Sequence, residues 1–155
     1  MVAPTQWDDP SLADGYRLIR GVHRILLVKD PDGKNHLKTS AFRYDPPEKS
    51  PGDQGCSVQC GELLGKEPVH PGEHFSWDTH CAAIFPIAWV REPIDGEQPA
   101  GVIQAPVETD HAHCLIRVRD ECQRKRWWDP VRAGLVERSD QILVMSVEQA
   151  DSMLS

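Results

Sequence analysis

Two histidines separated by one residue, in Asp110-His111-Ala112-His113-Cys114, are the first residues whose type and spacing suggest chemistry. On an extended strand, side chains at i and i+2 leave the same face about 7 Å apart, so His111 and His113 would present two imidazoles side by side. Imidazole titrates near neutral pH, so such a pair suits a general acid or base, or the binding of a phosphate or a metal. Ser40, Ser57 and Cys60 are nucleophiles that one of these histidines could activate. Arg17 and Arg20, in Tyr16-Arg17-Leu18-Ile19-Arg20-Gly21, are cations of the kind that clamp an anion.

A zinc site would draw on Cys56, Cys60, His80, Cys81, His111, His113 and Cys114. Cys56 and Cys60 have the spacing of a structural ligand pair, but adjacent pairs such as His80-Cys81 point to opposite faces of a strand. Cys114 falls on the apolar parity and reads as core. No metal or cofactor is therefore expected, and a zinc-stabilised adaptor remains an alternative. Gln123-Arg124-Lys125-Arg126-Trp127-Trp128 sets basic residues beside two aromatics. Arg124, Arg126 and Trp127, with Trp77, are candidates for gripping a partner. Against that stands a helix whose tryptophans anchor it to a sheet. Glycine-rich phosphate loops, a nucleophile elbow and a His-Glu-x-x-His helix have no counterpart in the sequence.

The elements that must position these groups are mostly strands. Ala112, Cys114, Ile116 and Val118 alternate with His111, His113, Leu115 and Arg117, which predicts a half-buried strand. Ile25-Leu26-Leu27-Val28 predicts a short strand buried on both faces, and Asp30-Pro31-Asp32-Gly33 a turn leading into a second arm from His36 to Tyr44. Cys56 to Leu64 fits a strand or a helical turn equally well. Cys81 to Val90 predicts a strand bent at Pro86. Asp95 to Gly101 predicts a hairpin turn leading into Val102 to Val107. Arg119 to Trp128 has helical composition, Asp129-Pro130 has the form of a cap opening a second short helix through Glu137, Gln141 to Met145 returns to strand, and Val147 to Ser155 predicts a final helical turn. The fold class is thus α+β, a mainly antiparallel, curled sheet with a short helical pair near the C-terminus.

With 155 residues, 24 acidic and 17 basic side chains and a net charge of −7, the chain reads as a polar N-terminal arm over 1–15 and a single globular domain over 16–155. The charge disfavours nucleic acid. No secretory signal, membrane span or even cysteine count is present, which points to a soluble, cytoplasmic protein. Thirteen prolines mark long loops, of which Glu67 to His80 carries His70, His74, Phe75 and Trp77 and has the composition of a recognition loop.

The succession Tyr16-Arg17, Ser40-Ala41-Phe42, Cys56-Ser57-Val58 and His113-x-x-Ile116 resembles a group of small uncharacterised bacterial proteins that share these short motifs over nearly their whole length. The chain departs from them in the length between Tyr44 and Cys56 and in Cys114, where they often carry Ala. The resemblance implies a compact bacterial domain and directs attention to Arg17, Ser40, Ser57 and His113 meeting on adjacent strands. Functionally, the leading expectation is an accessory module that contacts another protein, one encoded nearby. The alternative is a small enzyme acting on a nucleotide or nucleic-acid phosphate, with His113 or His111 as acid/base and Arg17 or Arg20 as clamp.

Overall fold

A computed structural model describes residues 6–49, 52–65, 76–139 and 143–154. Its strands are β1 (Arg17–His23), β2 (Leu27–Lys29), β3 (Asn35–Leu37), β4 (Cys56–Cys60), β5 (His80–Pro86), β6 (Ala100–Gln104), β7 (His113–Val118) and β8 (Leu143–Val144). Its helices are α1 (Gly61–Leu64), α2 (Ala88–Arg91), α3 (Arg124–Ser139) and α4 (Val147–Leu154). Six strands form one antiparallel sheet in the order β6-β7-β4-β1-β5-β8, and β2 and β3 form a separate hairpin. The class is α+β, as the sequence predicts, but the sheet is open and not strongly curled.

Alternation along each strand sorts side chains onto two faces. Leu18, Val22, Val58, Phe85, Val102 and Ile116 point to the larger core, which α3 covers through Trp127, Trp128, Val131 and Leu135. Ile19, Ala82, Ile84 and Val144 point to a smaller core closed by Leu64 and Ala150 of α1 and α4. Cover on both faces explains why β7 is buried almost throughout, including Leu115 at 2% and Arg117 at 5% exposure, where a half-buried strand is the sequence expectation.

Several other expectations are corrected. Pro130 does not start a second helix, because α3 runs continuously from Arg124 to Ser139 across it. A proline inside a helix costs about 3 kcal/mol. Burying two Trp, a Val and a Leu on one side of α3 contributes roughly 1.5–3 kcal/mol each, more than enough to hold the helix together. Ile25 to Val28 is not a buried strand: Arg24–Leu26 is a 3-10 turn, and Ile25 and Val28 are 70% and 48% exposed. The reason is positional, since β4 and β5 already occupy both sides of β1 and the chain must leave the sheet.

The turn at Asp30–Gly33 does join a hairpin, with Gly33 at φ 79, but the second arm is only β3 and gives way to a 3-10 turn at Thr39–Phe42. Cys56 to Leu64 is both predicted forms in succession, β4 then α1. Pro86 ends β5 instead of bending it, and β6 pairs with β7 and not with the Cys81 to Val90 segment. The Asp95-Gly96 turn is local, closing a bridge between Ile94 and Glu97 with both central residues at positive φ.

Residues 6–15 dock against the sheet. Leu12 is 2% exposed, the Asp9 amide donates to the Val102 carbonyl at 2.9 Å, and the Asp8 carboxylate accepts from the Val102 amide at 3.0 Å, which covers the β6 edge. Arg91 fixes this stretch by ion pairs to Asp8 and Asp14 and by hydrogen bonds to the Leu12 and Asp9 carbonyls.

Candidate functional site

β4 and β7 are antiparallel neighbours, with Ser57 opposite Leu115 and Gln59 opposite His113. Ser57 and His113 are therefore diagonal neighbours on one face, within reach of an imidazole. The His113 Nε2 lies 3.2 Å from the Ser57 Oγ, and its Nδ1 lies 2.7 Å from the Ala105 carbonyl oxygen. A carbonyl only accepts, so in the neutral ring Nδ1 carries the hydrogen and donates to Ala105. Nε2 is then the bare acceptor toward which the Ser57 hydroxyl donates. Ala105 is fixed in turn, because its amide donates to the His113 carbonyl at 3.0 Å. Both Ser57 and His113 are half-buried.

Beside this pair, the Gln59 amide nitrogen donates to Asp110 Oδ2 at 2.7 Å, while Asp110 Oδ1 accepts from the Ala112 amide at 3.0 Å. Gln59 is 8% exposed and its Oε1 has no hydrogen-bond partner among the described residues. From the opposite face, Arg20 donates to the Ser57 carbonyl at 2.8 Å and to the Ala41 carbonyl at 2.9 Å, which holds β4 in place under the serine.

The expected pair of parallel imidazoles does not form. β7 begins only at His113, and His111 sits in the preceding turn, donating from Nε2 to the Leu63 carbonyl at 2.8 Å. The expectation for Cys114 holds, since it is fully buried on the core face.

The predicted anion clamps are committed elsewhere. Arg17 pairs with Glu62 at 3.1 Å and donates to the Met153 and Leu154 carbonyls at the end of α4. Ser40 is exposed in the Thr39–Phe42 turn. Of Arg17, Ser40, Ser57 and His113, the fold brings together Ser57 and His113 and leaves the other two apart.

Trp127 is 3% exposed and packs into the core, so its ring is unavailable to a partner. Arg126 stacks over it at 4.5 Å, and Arg124 lies near Glu121 and Glu48 at 3.6 and 3.7 Å. Trp77 is half-buried against the smaller core, and its carbonyl accepts from Arg24 at 2.5 Å. The rest of the aromatic loop, from 66 to 75, lies outside the described residues.

Cys56, Cys60, Cys81 and Cys114 all face the larger core as free thiols. Burial raises the pKa of each, that of Cys114 to about 12, which keeps them protonated and poor as nucleophiles or ligands. Among the described residues, no group of three or more His, Cys, Asp or Glu could hold a metal ion, and no helix is long and apolar enough to cross a membrane.

The sequence pointed to Ser57 and His113 together, within a wider set that included Arg17 and Ser40, but not to Gln59, whose parity with Ser57 in Cys56-Ser57-Val58-Gln59-Cys60 is a usable signal. The Ala105 carbonyl had no signal at all, because backbone groups carry no residue identity. No protein-family model, curated protein or solved structure matches the chain.

Proposed function

We propose that the chain is a small serine-dependent acyl hydrolase, with Ser57 as nucleophile and His113 as its base. The observation that carries this reading is the Ser57 Oγ lying 3.2 Å from a nitrogen whose opposite ring position is locked at 2.7 Å by a carbonyl. Nucleophile, base and an orienting group for the base are the three parts that activate a hydroxyl. Here the orienting group is neutral, so it fixes the tautomer but stabilises the imidazolium less than a carboxylate does.

In the reaction, Ser57 Oγ bonds to the acyl carbon as its proton passes to His113 Nε2. The same proton then goes to the leaving alkoxide, thiolate or amine as its bond to carbon breaks. Water, deprotonated by His113, attacks the acyl-serine, and the proton returns to Ser57 with release of the carboxylic acid. Gln59, opposite His113, has a second amide hydrogen beyond the one given to Asp110, and this is the side-chain donor we assign to the developing oxyanion.

An acyl substrate is favoured over a phosphoryl one because Arg17 and Arg20 are engaged by carbonyls and a glutamate. A net charge of −7 also repels phosphate.

The test is hydrolysis of a series of p-nitrophenyl esters of increasing acyl length, measured for the natural chain and three variants. Ser57→Ala should abolish turnover, His113→Gln should lower kcat by about a thousandfold, and Cys60→Ala should leave kcat unchanged. Turnover that survives in Ser57→Ala, or none with esters, thioesters or amides in the natural chain, would sink the proposal.

A further inference from the structure

Beside the Ser57–His113 pair, a buried acceptor lacks a donor. Gln59 is 8% exposed, and its Oε1 is buried with no hydrogen-bond partner among the described residues. The two ends of this amide are not interchangeable. Asp110 Oδ2, 2.7 Å from the Gln59 nitrogen, is a carboxylate oxygen and only accepts, so Nε2 must face Asp110 and Oε1 must face away. Asp110 is itself held by the Ala112 amide at 3.0 Å. It precedes β7, beyond the His113 end, whereas Ser57 lies opposite Leu115 within that strand. The end of the amide turned from Asp110 is thus the end turned toward Ser57. A buried oxygen without a donor is destabilising, and native folds keep few of them unless another molecule supplies the hydrogen.

We propose that the substrate supplies it, and that the group transferred to Ser57 is the acyl group of an N-acylated α-amino acid. This rests on the hydrolase reading and narrows it. Two oxygens side by side repel, so the hydrogen given to Asp110 is the one pointing away from Oε1. The other amide hydrogen and Oε1 then form one edge, a donor beside an acceptor. In an extended peptide residue, the N–H and C=O of that same residue project to one side, as when a strand residue exchanges both bonds with one partner. The two edges are complementary: Nε2 donates to the acyl oxygen while Oε1 accepts from the N–H one carbon away.

The leaving group cannot fill this role, because in a trans amide its N–H points opposite to the carbonyl. The contact therefore specifies the acyl side of the scissile bond and leaves an amine or an alkoxide free to depart. A plain fatty acyl chain presents a methylene at that place and leaves Oε1 unpaired. An acylated nitrogen offers one neutral N–H fixed in the amide plane, whereas a free α-ammonium would carry its charge into a mostly buried contact. Asp110, which touches no substrate, is a positioning residue for Gln59.

Two p-nitrophenyl esters of equal length test this: the N-acetylglycinate, and the levulinate, in which a methylene replaces the N–H. With each rate divided by that of spontaneous hydrolysis, kcat/KM of the natural chain should favour the N-acetylglycinate by at least about tenfold. The ratio should fall to near one in Gln59→Met, which keeps the volume but has neither polar group. It should shrink in Asp110→Asn, whose own amide no longer dictates which end of Gln59 faces it. Because the ratio compares two substrates of one protein, loss of folded material in a variant cancels from it. Ser57-dependent turnover with a ratio near one in the natural chain, the result expected if an ordered water holds Oε1, would overturn this inference and leave the hydrolase reading standing. A preference that survives in Gln59→Met would do the same. Absence of Ser57-dependent turnover of both esters would overturn the hydrolase reading and this inference with it.

Discussion

Replacing Arg117 with Met tests how the long Asp45 to Gly55 connection and the N-terminal stretch are tied to the sheet. The Arg117 side chain is nearly buried, with no carboxylate bonded to it among the described residues, and burial lowers its pKa. It donates instead to three carbonyls, Gln54 at 2.9 Å, Gln6 at 3.1 Å and Gly52 at 2.6 Å. Met fills a similar volume but leaves those three acceptors without their donor. Hydrogen bonds to a charged group contribute about 1.5–3 kcal/mol each, so three could total roughly 4–9 kcal/mol. Releasing a buried guanidinium recovers several kcal/mol of desolvation, and water can reach the more exposed carbonyls. The net loss is about 3 kcal/mol, or a fall in Tm of roughly 6–12 °C for a chain of this size. Arg117→Lys should recover less than half of this, because an ammonium cannot span three acceptors set around a planar fork. Urea unfolding followed by tryptophan fluorescence and circular dichroism measures both variants. A loss below about 1 kcal/mol in the Met variant would refute the reasoning, since the carbonyls would then not depend on Arg117.

Gly55→Ala should cost about 3 kcal/mol, because φ is 131 and a Cβ would meet the Ile116 carbonyl oxygen at 2.5 Å, whereas Gly33→Ala, also at positive φ but with open space around it, should cost about 1 kcal/mol by the same unfolding assay. Stability should fall as pH rises above about 9: the Cys114 thiol is held near 12 in the fold against an ordinary 9.0, so its contribution is full below the unfolded value and is lost between the two, at up to about 1.4 kcal/mol per pH unit. Tyr44, raised by burial and by its bond to Glu121, adds to the loss in the same direction. Urea midpoints at about pH 8 and about pH 10 should therefore differ less in Cys114→Ala than in the natural chain.

Local patterns were legible in the sequence. The period-two alternation placed Cys114, Ile116 and Val118 on the core face, the Asp30–Gly33 turn joined two strands, and the tryptophans of the basic segment anchored a helix, as one of its two readings had it. What failed required knowing which elements are neighbours. Ile25 to Val28 has the composition of a buried strand, but no place in the sheet beside β1 is left for it. Pro130 stays inside α3 because packing against the sheet outweighs a local penalty that the sequence alone makes decisive.

The site shows the same division. Ser57 and His113 were each visible as reactive types, but their contact depends on the register between two strands far apart in the chain. Arg17 and Arg20 looked like ligand cations because the carbonyls that hold them have no signature in the sequence.

Labelling with a fluorophosphonate, followed by intact-mass and peptide analysis, tests the Ser57–His113 pair most directly, since only a hydroxyl with a working base attacks the reagent quickly. One adduct per chain, on Ser57, slowed strongly by His113→Gln and retained in His111→Gln, is the predicted result. An unlabelled chain, or label scattered over serines such as Ser40 at rates His113 does not control, would contradict it.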